Sequence, residues 1–162
     1  MPFTSDPVTA HYGRPDLLDA IDAALRAAGK DPDRLTPPDL APVDEFHLRG
    51  REATLELARL AQPAHGERAV DVGCGLGGSA RHLAHAHGCR VTGVDLTPEY
   101  IQLARTLTRR VGLDATVDFR VANALEMPFP DAAFDLAWTE HVQMNIADKR
   151  AFYGEIARVL AP

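Results

Sequence analysis

At 162 residues the chain falls within the usual size of one domain, so a large multidomain assembly is excluded. Hydrophobic residues make up 46% and charged residues 25%, the make-up of a chain able to bury a core, and general disorder is excluded as well. A formal charge of -6 leaves no overall electrostatic footprint for nucleic acid or an anionic membrane surface, and a small molecule becomes the expected partner.

Taken in chain order, residues 1–6 lack the basic and then apolar segments of a signal peptide, and no apolar run approaches bilayer length. A cytoplasmic protein without a membrane partner is expected. Over residues 16–28, Leu17, Leu18, Ile21, Leu25 and Ala28 share one helical face and Gly29 follows as a stop, which predicts an amphipathic helix. Between Asp31 and Glu45 lie four prolines, five acids and one arginine, which predicts an irregular, exposed linker or lid strap. Residues 1–45 therefore read as an N-terminal accessory unit, and a second helix is expected over 51–60, ending before Pro63.

The rhythm then changes to strand, turn, helix. Strands are predicted at 68–72, 90–94, 115–121 and 134–138, and helices at 77–87, 98–111 and 148–160. Thr97 serves as an N-cap, Gly112 as a stop, and Phe152, Ile156, Val159 and Leu160 share one face of the last helix. This alternation predicts an α/β protein with a Rossmann-like, doubly wound parallel sheet and right-handed crossovers, preceded by N-terminal helices. A helix running to Leu160 should hand over to a further strand, so the sheet is expected to be incomplete, with strands 1–4 only. The exposed fourth strand invites pairing with another chain, a homo-oligomer included, unless the N-terminal segment covers it.

The strongest chemical signal is Asp71-Val72-Gly73-Cys74-Gly75-Leu76-Gly77-Gly78, where a strand passes into a helix. Glycines there permit positive backbone dihedrals and close ligand approach, and the helix start offers unpaired amide donors. The string also satisfies the dinucleotide pattern through Gly73, Gly75 and Gly78. Asp95, 22 positions past Gly73, is placed to accept from ribose hydroxyls of either cofactor class, and the choice stays open at this level. Cys74 and Cys89 form no metal-ligand spacing and are expected as free thiols, Cys74 simply as a small loop residue. His82, His85 and His87 lack the further ligands that would complete a metal site and read as a solvated helix face; no metal is expected. Trp138 reads as core.

The glycine loop with its leading acid, Val91-Thr92-Gly93-Val94-Asp95-Leu96, Asn123-Ala124-Leu125-Glu126-Met127-Pro128-Phe129 and Phe134-Asp135-Leu136-Ala137-Trp138 together resemble class I S-adenosylmethionine-dependent methyltransferases. Asp44-Glu45-Phe46-His47-Leu48-Arg49-Gly50 with Met144-Asn145-Ile146 is similar to the branch that includes sarcosine and dimethylglycine methyltransferases. The resemblance implies a domain over 46–162 that binds S-adenosylmethionine and methylates a small molecule, such as an amine. It also implies site roles. Asp71 and the Gly73, Gly75 and Gly77 backbone would hold the methionine portion, Asp95 the ribose, and Leu96 the adenine face. Asn123 stands where similar enzymes often carry an acid, and its carbonyl is able to accept from the adenine amino group; Ala124 offers its backbone amide. His141 follows the fourth strand where family members contact cofactor or substrate. His141, Tyr12 and His47 are the candidates to take the acceptor's proton, with His47 also on the substrate side, and Arg49 is the candidate partner of a carboxylate. Two other readings are a cofactor-binding module without turnover and an NAD-dependent oxidoreductase, which leaves segment 123–129 unexplained.

Overall fold

The computed structural model describes residues 17–45 and 49–162. Among these residues, six α-helices and four strands follow in the order α1 (Leu17–Ala27), α2 (Pro37–Asp44), α3 (Arg51–Ala61), β1 (Arg68–Val72), α4 (Gly78–His87), β2 (Arg90–Asp95), α5 (Pro98–Arg110), β3 (Val117–Val121), β4 (Leu136–Trp138) and α6 (Lys149–Val159). The strands form one parallel sheet in the order β3-β2-β1-β4, with Asp71 beside Gly93 and Trp138. The chain thus winds one way from β1 to β3 and then returns to the other side of β1. In such sheets a ligand crevice opens at the carboxyl ends of the strands where the order reverses.

Alternation along the strands divides the core between the two sheet faces. Ala69, Val91, Val117, Phe119 and Trp138 pack with Leu83, Ile101 and Ala104 from α4 and α5. Val70, Val72 and Val94 face the opposite way, against Phe152 and Val159 of α6. Helices on both faces are what doubly wound connections require, and the fold matches the sequence expectation. A third cluster seats the N-terminal helices: Ile21, Leu25, Leu35 and Leu40 pack on Leu76 of the glycine loop and on Leu103 and Leu107 of α5.

One expectation needs correction. Residues 37–44 are helical, and Leu40 is fully buried. Pro37 and Pro38 fall in the first turn, where no intrahelical N–H is required, and Asp39 Oδ2 accepts from the Thr36 amide at 2.8 Å and its hydroxyl at 2.6 Å. The proline content that suggests a loop is here compatible with a short helix. Just ahead of β4, Phe134 pairs in parallel with Leu160 and the Ala161 amide donates to the Phe134 carbonyl at 2.7 Å, while β4 itself pairs with β1 alone and ends the sheet. Among the described residues no helix is long and apolar enough to cross a membrane.

Candidate active site

A cavity of about 630 Å3 opens at the carboxyl ends of all four strands. Gly73 to Leu76 line it after β1, Asp95 to Thr97 after β2, Ala122 to Ala124 after β3 and Glu140 to Val142 after β4, while Leu17, Asp44 and Tyr100 close another side. Asn145 and Ile146 complete the lip, which Lys149 braces by donating to the carbonyls of Gln143 and Ile146. A cavity of this size at this place suits a cofactor. A smaller one, about 290 Å3, lies near Arg68, Arg90 and Asp114 at the opposite strand ends and gathers no comparable chemistry.

The loop after β1 is fixed from both sides. The amides of Gly73 and Cys74 donate to the Val94 carbonyl at 2.8 and 3.0 Å, binding the loop to β2. Asp95 then clamps it: Oδ2 accepts from the Gly75 amide at 3.0 Å, and Oδ1 accepts from the Thr97 amide at 2.9 Å. At Gly73, φ is +78°, and an added Cβ would lie 2.2 Å from the Val142 side chain. Glycine is required there by both backbone angle and space.

The α4 N-terminus has no side-chain cap of its own, because its N-cap is Gly77. Acids from elsewhere converge on its first turn instead. Asp44 Oδ1 lies against Gly78, the Ser79 hydroxyl donates to Glu140 Oε2 at 2.7 Å, and the Ala80 amide bonds to Asp71. Such placement complements the positive end of a helix. Glu140 Oε2 also accepts from Trp138 Nε1 at 2.8 Å, which holds it at the tip of β4. Burial, followed by repulsion from Glu140 and Asp95, pushes Asp71 up to about 8. Asp44, Asp95 and Glu140 line the cavity, and none of its described lining residues is lysine or arginine. The site is built to receive a cation rather than a phosphate.

Arg81 joins the strap helix α2 to this framework. It is buried and donates through Nη2 to Asp44 Oδ2 at 2.5 Å and to the Leu76 carbonyl of the glycine loop at 2.7 Å. Nη1 donates to Thr108 Oγ1 of α5 at 2.9 Å. One guanidinium thus fixes the strap, the loop and α5 relative to one another.

Residues 70–162 match the family described as a methyltransferase domain, more than half of the chain. The chain belongs to that family. It is 42% identical over 122 residues to a probable tocopherol O-methyltransferase, chloroplastic, of Oryza sativa subsp. japonica, covering 72% of this chain and 34% of that protein. It is 40% identical over 92 residues to ajmaline N-methyltransferase of Rauvolfia serpentina, covering 57% of this chain and 32% of that protein. Its fold is similar to phosphoethanolamine N-methyltransferase 2 of Haemonchus contortus, solved with S-adenosyl-L-methionine, at a TM-score of 0.72 and 26% identity, covering all of this chain and 35% of that one. The chain spans about a third of the length of these relatives.

In this methyltransferase domain, Gly73, Gly75, Asp95, Leu96, Asn123, Ala124 and His141 are brought together around the cavity. Gly77 and Asp71 stand just behind the wall: Gly77 caps α4 against the Phe119 ring, and Asp71 is 3% exposed at the end of β1. Leu96 is 45% exposed, an apolar surface beside the cavity rather than a core residue. Asn123 Oδ1 accepts from the Leu125 amide at 3.0 Å, forming the turn after β3. His141 has φ +55°, an uncommon angle for a non-glycine residue.

Arg49 is not brought to the cavity lining; exposed at the start of α3, it pairs with Glu56 at 2.9 Å. Tyr12 and His47 lie outside the described residues. The reading of His82 as part of a solvated face is corrected: His82 is 9% exposed and meets His87 edge to face at 5.4 Å. Burial lowers its pKa to about 4, keeping the ring neutral. Among the described residues no cluster suited to a metal is present. Both cysteines are buried free thiols, and burial, reinforced by Asp71 and Asp95, raises Cys74 well above the usual thiol range. Trp138 is core, as expected, at 2% exposure. Sequence reasoning missed Asp44, Arg81 and Glu140. Glu140 alone left a local signal, an acid two positions past the end of a predicted strand.

Proposed function

We propose that the chain binds S-adenosylmethionine in the large cavity and transfers its methyl group to a small organic acceptor bearing an amine or a hydroxyl. The observation that carries this reading is the combination of a glycine loop with an acid-lined wall whose described residues include no lysine or arginine. The residues fit the donor: Asp44 lines the cavity and its Oδ1 is a buried oxygen without a hydrogen-bond partner, suited to a ligand carrying an ammonium group. The same feature weighs against a nicotinamide dinucleotide, whose pyrophosphate needs the α4 N-terminus that Asp44, Asp71 and Glu140 already surround.

Asp71 and the backbone of Gly73, Gly75 and Gly77 hold the methionine end in this reading. The Asp95 oxygens retain lone pairs, beyond those used by Gly75 and Thr97, for the ribose hydroxyls. Leu96 offers its exposed apolar surface to the adenine ring, and the Asn123 turn with the Ala124 amide reads its edge. When bound, the sulfonium supplies an electrophilic methyl carbon and becomes a neutral thioether. The protein's part is alignment, exclusion of water and removal of one proton. His141, fixed at the lip in its left-handed conformation, accepts that proton from the amine or hydroxyl as the nucleophile attacks. The N- and O-methyltransferase relatives support these two nucleophiles. Competition binding tests the donor: S-adenosylhomocysteine should bind and NAD should not displace it. NAD binding with no S-adenosylhomocysteine binding would overturn the reading.

A further inference from the structure

We infer that Asp44, which lies outside the segment matched to the family, binds the α-ammonium group of the methyl donor, and that Arg81 is the residue that positions it. The inference rests on the donor reading above and adds a contact from the strap helix α2. Asp44 sits at the last position of α2 and lines the cavity, although its side chain is only 1% exposed. Its two oxygens have different surroundings. Oδ2 receives Arg81 Nη2 at 2.5 Å, whereas Oδ1 is buried with no hydrogen-bond partner. The bond to Oδ2 fixes the carboxylate plane and thereby directs Oδ1.

Buried carboxylate oxygens are normally satisfied, so the exception at the wall of a ligand cavity calls for a donor supplied by the ligand. At Gly78 an added Cβ would approach Glu45 Cγ to 2.6 Å and both the Asp44 carbonyl and Oδ1 to 3.0 Å, so glycine lets the end of α2 seat against the first turn of α4. An alkylammonium carries three N–H donors, one of which satisfies Oδ1 without disturbing the bond from Arg81 to Oδ2. Burial raises the Asp44 pKa while Arg81 opposes that shift, and an incoming cation acts in the same direction as Arg81.

The test compares two ligands that share an adenosyl thioether but differ in the amino-acid end. S-adenosylhomocysteine and 5′-methylthioadenosine are titrated into the wild-type chain, Asp44→Asn, and the double variant Asp44→Asn/Arg81→Gln. The double variant is included because Asp44→Asn alone leaves Arg81 buried without its anion. The expected result is a loss of about tenfold or more in S-adenosylhomocysteine affinity in both variants, with methylthioadenosine affinity unchanged. Unchanged S-adenosylhomocysteine affinity overturns the inference, as does equal weakening of both ligands, which would mark the pair as purely structural. Wild-type binding of methylthioadenosine as tightly as S-adenosylhomocysteine also overturns it, yet leaves adenosyl binding standing. Wild-type binding of neither ligand removes the donor reading itself.

Discussion

The floor and the roof of the cavity are built by different means. The floor is a continuous stretch from Asp71 to Gly78, held by backbone bonds to Val94 and by Asp95. The roof is α2, which reaches the same place through a buried ion pair to Arg81, 37 positions later in the chain. A local glycine pattern suffices to shape the floor, whereas the roof depends on two charges that lose their compensation when either is removed. The floor should therefore fail through sterics and the roof through uncompensated charge.

The largest expected effect is at the floor. Gly73→Val places a branched Cβ where only hydrogen fits, at a positive φ, and should abolish measurable S-adenosylhomocysteine binding by calorimetry. At the roof, Arg81→Met leaves Asp44 buried without its cation and should cost about 3–5 kcal/mol in urea unfolding. Asp44→Leu/Arg81→Met, which removes both charges, should recover much of that loss; a double variant as unstable as the single one would contradict the charge account.

A pH effect of intermediate size sharpens the contrast. With Asp71 pushed up to about 8 from the ordinary aspartate value of 3.8, the folded chain holds a proton across that window that the unfolded chain has lost. The associated stability is present in full below about 4 and is lost as pH rises through about 8. Thermal melts of Asp71→Asn should show a flatter decline over the same range; an unaltered profile would place the titration elsewhere. The smallest effect belongs to a region remote from the cavity. Arg68 pairs with Asp135 at 2.6 Å on the surface, and Arg68→Ala should change Tm little, with even that change reduced by added salt.

The floor was legible because its information is local. A short apolar strand, glycines at a turn and an acid at the end of the next strand each leave a mark within a few residues, and the structure gathers Gly73, Gly75, Asp95 and Asn123 where that pattern places them. The roof was not legible for the opposite reason. Pro37, Pro38 and Pro42 signal a break in regular structure, yet two of them occupy a first turn that tolerates proline, and Leu40 secures the helix by burial. Likewise, no local pattern distinguishes Arg81 from a surface arginine, since the pairing that buries it arises only when α2 packs against α4. His82 shows the same limit: its neighbours in sequence suggest a wet face, but its neighbours in space exclude water.

The most direct measurement of the central claim is a calorimetric titration of S-adenosylhomocysteine into the folded wild-type chain beside Gly73→Val. Saturable one-to-one binding in the first and none in the second is the predicted result. A folded wild-type chain that yields no binding heat at several temperatures and no ligand-induced rise in Tm, or a Gly73→Val variant that binds as tightly as the wild type, would contradict it.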